Sequence, residues 1–327
     1  MKVTVIIFSY NNLKYIYEAI DSVLQQNYEN IQLIVTDDGS KNFDSVAIKS
    51  YIEQNKKNNI KEFIVRTNEK NLGTVHHVNK ALEYVKGEYI VNLAADDMLY
   101  DEKVVANYVK YNTEINDENI VALTQVKHYN QDMTEELCDV LTPERIALLE
   151  NGSMSEIYGE LCQWCFIPEA GTALSVKLIE RLGGFDERYQ LIEDWPFFLK
   201  AVRSGIRFKY FNTVSTKHRD GGVSHSKRDK NNLIQNSYYN DLLEINRNEI
   251  LKYYKLAPQR IQKKIYTAAH DRVIIYEFRN EFVRLSLSKK MYWIYKNPII
   301  FMVFIRGVKR KVIRGFYTKC LKKDCLL

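Results

Sequence analysis

Apolar and polar positions in the first 126 residues alternate between two periods. Residues 3–9, Val-Thr-Val-Ile-Ile-Phe-Ser, form a near-continuous apolar, β-rich run, the mark of a strand buried on both faces. Residues 13–26 then carry Ile16, Ala19, Ile20, Val23 and Leu24 at helical spacing. The same alternation continues. Strands are expected over 31–36, 61–66, 89–94 and 119–126, with helices over 43–55, 74–85 and 103–111. Within 74–85, Val75, Val78, Leu82 and Val85 share one face, and Gly87 is expected to stop that helix. Strands separated by helices predict an α/β fold with a doubly wound, mostly parallel sheet.

The second half is less regular. Residues 127–168 show no sustained period and read as a binding loop or lid. A short helix over 176–182 ends at Gly183-Gly184, a second helix spans 194–204, and residues 208–216 read as a closing strand. Beyond 227 the chain is polar, helical in pattern and rich in Tyr and Lys. The expected organisation is a catalytic unit over 1–225, divided at 126/127, followed by a helical, basic appendage over 226–327.

With 46% hydrophobic and 27% charged residues, the 327-residue chain has the composition of a globular protein. The first apolar run is too short for a secretory signal core, which favours a cytoplasmic location. Five cysteines, an odd number, imply no disulfide framework. Cys162-Gln163-Trp164-Cys165 has metal or redox spacing, but no second Cys/His pair accompanies it, so a structural role is favoured.

The net charge of +6 is unevenly distributed. Eleven Lys/Arg and one acid lie in 288–327, so the body before Ser288 keeps 36 bases against 40 acids. No base-reading motif accompanies the basic tail, which argues against a nucleic-acid partner. Residues 291–295 (Met-Tyr-Trp-Ile-Tyr) and the apolar run 299–305 precede the basic run 306–314. The apolar run is too short to span a bilayer. It suits a helix lying on an anionic membrane surface, the alternative being a helix packed on the body.

The chemistry is carried by acids at strand ends. Asp37-Asp38-Gly39-Ser40 follows the second strand, Asp96-Asp97 the fourth, and Glu193-Asp194-Trp195 opens a helix in the second half. Each alone has a plain structural reading: a turn at Asp38-Gly39, a solvated pair at 96–97, an N-cap at Asp194. Adjacent carboxylates at the C-terminal edge of a parallel sheet repel unless a cation or donors offset them, and that edge is where α/β proteins bind ligands. Together the three sites suit displacement of a diphosphate from a sugar carbon.

Residues 5–12, Asp37-Asp38-Gly39-Ser40, Asn71-Leu72-Gly73, residues 87–99 and Glu193-Asp194-Trp195 together resemble family 2 glycosyltransferases of the GT-A fold, over roughly residues 1–220. The resemblance implies an inverting transferase that moves a sugar from a nucleotide-diphosphate donor, expected to be UDP-linked, to a hydroxyl of a saccharide or lipid-linked acceptor. It implies a place in bacterial cell-surface polysaccharide synthesis, peripheral on the inner face of the membrane. It also implies roles. Ser9, Asp38 and Asp96 bind the nucleotide, Asp97 ligates Mg²⁺ or Mn²⁺, and Asp194 is the general base. His218 is the favoured late histidine for the metal or diphosphate, with His225 as runner-up.

His76 and His77 are adjacent, point to different helix faces and are read as structural. Trp164 and Trp195 flank the proposed base, where core packing is favoured over acceptor stacking. A catalytically silent subunit of an assembly complex is the alternative function. A nucleotidyltransferase ranks last, since no Gly-rich basic phosphate loop is visible near the N-terminus.

Overall fold

The strongest apolar run forms the centre of the sheet. In the computed structural model, which describes residues 1–221, 233–278, 286–296, 300–303 and 305–306, β1 (Val3–Ser9) lies between β2 (Ile31–Asp37) and β4 (Tyr89–Ala94), and β3 (Ile60–Thr67) flanks β2. All three pairings are parallel. The crossovers are α1 (Ile16–Leu24), α2 (Ser45–Asn55) and α3 (Thr74–Leu82). The sheet continues through β5 (Met98–Leu99), β6 (Ile120–Tyr129), β7 (Glu136–Asp139), β8 (Thr172–Ser175) and β9 (Arg207–Arg219), in the order β3-β2-β1-β4-β8-β6-β9-β5 with β7 on β6. Here β6 and β9 run parallel, and β8 joins the halves by antiparallel pairing to both β4 and β6.

Alternation along β1 explains why both faces need cover. Val3, Val5 and Ile7 enter one apolar cluster with α1, α2 and α4 (Val104–Ile115); Ile6 enters the other with α3, α7 (Val176–Leu182) and α8 (Asp194–Arg203). Each fully buried aliphatic side chain contributes ~1.5–3 kcal/mol, so this two-sided burial dominates the fold's stability.

Two expectations are corrected. Residues 127–168 are not irregular: they contain β7, α5 (Pro143–Asn151) and α6 (Met154–Leu161). Thr142 caps α5 with Pro143 at its first turn, and Ser153 with Glu156 forms a capping box on α6. Gly87 is not the stop of α3, whose C-cap is Glu83. A Cβ at Gly87 would lie 2.6 Å from Thr4 N, so this glycine lets the lead-in to β4 pass against β1.

The expected boundary at 225/226 lies outside the described residues. Beyond it come α9 (Leu233–Glu244), a π-helical turn Ile245–Ile250, α10 (Gln259–Glu277) and α11 (Leu287–Lys296). Leu242, Ile245, Ile250, Ile265 and Ala269 belong to the same apolar cluster as α8. Cys162 and Cys165 are free thiols, Cys162 buried and Cys165 half-buried.

Candidate active site

The order 3-2-1-4 places the reversal of strand order beside β1, and the acidic turns sit at the C-terminal ends of the strands there. Ser9 ends β1. Its hydroxyl donates to Asp37 Oδ1 at 2.9 Å, and Asp37 also accepts from Ser40 N at 2.6 Å, Ser40 Oγ at 2.6 Å and Thr67 Oγ1 at 3.0 Å. Ser9 is therefore coupled to this turn through Asp37, a residue sequence reasoning did not single out.

Asp38, also buried, organises the neighbouring turn. Its carboxylate accepts from Asn68 Nδ2 (2.8 Å), Leu72 N (2.9 Å), Asn71 Nδ2 (2.8 Å) and Gly73 N (3.0 Å). His77 is buried beside it, with Nδ1 2.8 Å from Asn68 Nδ2 and its ring edge-on to Phe8. Burial holds His77 below the ordinary imidazole range despite the nearby Asp38 charge. His76 is exposed on the same helix, 3.4 Å from Glu187. Gly39 and Gly73 adopt φ of +81° and +86°. A Cβ at Gly39 would meet the Lys70 backbone at 2.7 Å, and one at Gly73 would meet Gln190 at 2.7 Å. These are close approaches that only glycine permits.

Asp96 and Asp97 follow β4. The two-residue strand β5 pairs Met98 with Lys217, which brings the end of β9 onto the acidic pair. His218 Nδ1 lies 2.8 Å from Asp97 Oδ2, and Arg219 N donates to Asp97 Oδ1 at 2.9 Å. Burial alone would lower the His218 pKa, but the Asp97 carboxylate outweighs it and holds the imidazole above its ordinary range. Burial first, and Asp97 second, push the Asp96 carboxyl up. The Arg219 side chain is 3% exposed. Its Nε donates to Asp96 O at 2.8 Å, it donates to Gln131 O, and it pairs with Glu18 at 2.6 Å while lying over the Tyr15 ring. Arg219 ties the segment at Gln131 and the start of α1 to the acidic loop. His225 lies outside the described residues.

Asp194 occupies the first position of α8, and Glu193, at the cap position, makes no side-chain cap bond. Asp194 Oδ1 accepts from Trp195 N at 2.6 Å, and Cys165 Sγ donates to Oδ2 at 3.5 Å. Burial raises the Asp194 pKa against those two donors. Burial, then the Asp194 charge, keep Glu193 well above the ordinary carboxylate range. Trp195 is core: it is 4% exposed and its Nε1 donates to Leu161 O at 2.7 Å. Trp164 is 40% exposed, its ring 6.3 Å from that of Trp195.

The sequence model of glycosyl transferase family 2 matches residues 4–140, the stretch that carries Ser9, Asp38 and Asp96-Asp97. The chain is a glycosyltransferase whose residues 4–140 carry the family 2 match. It is 24% identical over 323 residues to an uncharacterized glycosyltransferase of Rickettsia typhi, covering 90% of this chain and 96% of that one. It is 27% identical over 230 residues to an Escherichia coli UDP-Glc:alpha-D-GlcNAc-diphosphoundecaprenol beta-1,3-glucosyltransferase, covering 69% of this chain and 80% of that protein. Among solved structures, S. aureus TarS 1-349 in complex with UDP-GlcNAc is similar at a TM-score of 0.56 and 20% identity, covering 93% of this chain and 81% of that chain. The fold is of the GT-A type.

Among the described residues no group of three or more His, Cys, Asp or Glu stands ready for a metal ion. Asp97 Oδ2 and His218 Nδ1 face each other at 2.8 Å, so a cation here would draw on the remaining lone pairs of Asp97 and on His218 Nε2. Such a pair fits a divalent ion whose remaining ligands come from substrate phosphates, the usual way Mg²⁺ is held.

The transferase carries a further acid, besides Asp37, that the sequence did not single out. Glu169, in the 3-10 turn Glu169–Gly171, accepts a hydrogen bond from Asn92 Nδ2 at the end of β4. Burial raises its carboxyl to about 7, the Asn92 bond opposes this, and the Asp194 charge adds to it. Glu169 thus stands between the end of the fourth strand and the start of α8.

The raised value has a definite sign. Between pH 4.5 and about 7 the unfolded chain has released the Glu169 proton while the native protein still holds it. Native stability therefore falls as pH rises through that window. E169Q removes this loss, so the melting temperature of E169Q minus that of wild type is expected to grow between pH 4.5 and 8. A constant offset over that range would contradict the assignment.

Proposed function

We propose that the transferase is an inverting enzyme that moves a sugar from a UDP-sugar to a hydroxyl of a saccharide or lipid-linked acceptor in cell-surface polysaccharide synthesis. One observation carries this reading: the Asp38 turn and the Asp96-Asp97 loop share the sheet edge that Asn92 and Glu169 connect to Asp194. The UDP-Glc donor of the Escherichia coli relative and the UDP-GlcNAc held by TarS support the choice of nucleotide. The diphosphoundecaprenol acceptor of the same relative supports a lipid-linked acceptor.

In this reading residues 1–126 hold the donor and 127–225 present the acceptor. Ser9, Asp38 and Asp96 line the nucleotide side. Asp194 takes the proton from the acceptor hydroxyl as its oxygen attacks the anomeric carbon from the face opposite the diphosphate. The anomeric C–O bond to the diphosphate breaks, its electron pair leaves with UDP, and the configuration inverts. Asp97 and His218 would hold Mg²⁺ or Mn²⁺, which neutralises charge on the departing diphosphate when bound. Arg219 keeps the Asp97 loop in register with β9.

The test is nucleotide release from UDP-, GDP- and dTDP-sugars by the purified chain, with a polyprenyl-diphosphate-linked N-acetylglucosamine as acceptor. Release of UDP that depends on the acceptor is the expected result. Turnover confined to GDP- or dTDP-sugars contradicts the donor assignment.

The C-terminal segment fits a lipid-linked substrate. No helix among the described residues is long and apolar enough to cross a membrane. Leu287, Met291, Tyr292 and Tyr295 on α11, with Phe301, Met302 and Ile305 beyond it, are 58–79% exposed, and Lys289 and Lys290 lie among them. Ile300 and Val303 turn inward and Arg306 pairs with Asp271 of α10 at 2.6 Å, fixing this surface to the body. The remaining basic residues, 309–323, lie outside the described residues. An apolar face with lysines at its edge suits the surface of an anionic bilayer. The full chain is expected to sediment with phosphatidylglycerol vesicles and not with phosphatidylcholine vesicles. M291E and F301E together are expected to release it, and equal binding to both vesicle types contradicts the proposal.

A further inference from the structure

The segment that leads into α8 has no regular structure of its own, yet it carries Glu193 and Asp194. Three consecutive backbone N–H groups in it point at one side chain. Asp241 of α9 accepts from Gln190 N (3.0 Å to each carboxylate oxygen), Leu191 N (2.6 Å) and Ile192 N (3.0 Å). Asp241 is 4% exposed. Burial raises its carboxyl while the three N–H groups act the other way. Such an arrangement fixes φ and ψ over three residues, because a buried carboxylate tolerates loss of its donors poorly.

The same segment is held on both sides. Glu249, in the π-helical turn, pairs with Arg188 at 3.2 Å, and Tyr189 Oη donates to it at 3.4 Å. Opposite, Val75 N donates to Gln190 O at 3.2 Å, and Gly73, bound to Asp38, lies against the Gln190 side chain. Gln190 thus touches the Asp38 turn, while Asp241 fixes its amide.

We propose that Asp241 is a positioning residue for Asp194: it sets the backbone that leads into α8, so the helices beyond residue 232 are a working part of the active site. This rests on the reading of Asp194 as the general base. It assigns Asp241 no contact with substrate. Its effect passes through the orientation of Asp194, where an error of about 1 Å can cost ~100-fold in rate.

The test combines rates with backbone protection. UDP release from UDP-glucose or UDP-N-acetylglucosamine, whichever the wild-type chain turns over, is compared for D241A, D241N, D194N and D194N/D241A. D241A is expected to lower kcat ~10- to 100-fold, with D241N between it and wild type. In the double variant D241A is expected to add nothing to D194N, because both act on one group. Multiplied losses in the double variant would mean that Asp241 acts elsewhere, and unchanged kcat in D241A would overturn the proposal. Full kcat in D194N would instead overturn the base assignment. Amide exchange at residues 190–192 covers the case of an unstable D241A. Faster exchange there in D241N is expected, and wild-type exchange rates would overturn the proposal without reference to activity.

Discussion

Asn in place of Asp194 is expected to lower kcat by ~10²- to 10⁴-fold, the range in which positioned proton transfer contributes. The donor dissociation constant should stay within about twofold of wild type, because uniform binding is untouched when only a transition-state interaction is lost. The substitution is close in shape, and an Asn oxygen still accepts from Trp195 N, the bond that holds the side chain at the start of α8. What it loses is the basic oxygen facing Cys165. Burial raises Asp194, which makes it a better proton acceptor than a solvated aspartate. Initial rates of UDP release, with donor affinity measured separately, check the split. A fall in affinity with kcat preserved would assign Asp194 to binding.

Asn in place of Asp97 is expected to remove the dependence of turnover on Mg²⁺ or Mn²⁺ and to lower kcat/KM on the order of 10³-fold, since a cation at a developing phosphate charge supplies several kcal/mol. The geometry makes this substitution costly in a second way. Asp97 faces the His218 imidazole and the Arg219 amide, and its side chain is 3% exposed. Neutralising it leaves His218 without the charge that holds its pKa up. Metal titrations of the rate, together with a melting curve, separate lost chemistry from lost fold. Retained metal dependence in a folded D97N would move the cation site away from Asp97.

The sheet was legible because its strands are buried on both faces. A chain segment such as Val3–Ser9 has few other ways to satisfy its apolar side chains, and the helices between such runs must cover both surfaces. The acids were legible because adjacent carboxylates at strand ends conflict with burial unless something uses them. The segment 127–168 was misread although Thr142-Pro143 and Ser153…Glu156 are ordinary N-terminal signals. Its helices are short and α5 buries one residue, so the periodicity that marks a helix was weak.

Other residues gave no local signal. Asp241 and Glu169 act across 49 to 51 and 77 residues of sequence, and nothing in their neighbours announces the partner. Arg219 stands next to His218, and nothing in that run marks its partner. Its guanidinium turned out to bind Glu18, 201 residues away. Spacing identifies which residues share a turn. It does not show which loop a buried carboxylate will hold, because that depends on how helices from the far end of the chain dock.

The central claim is that this sheet edge binds a uridine-diphosphate sugar through the Asp97 loop. The most direct measurement is calorimetric titration of UDP-glucose and UDP-N-acetylglucosamine into the full chain, with and without Mn²⁺, and again with D97N. The account predicts binding of at least one of them that strengthens with Mn²⁺ in wild type and gains nothing from Mn²⁺ in D97N. Absence of binding by folded wild-type protein, or Mn²⁺-dependent binding that D97N retains in full, would contradict it.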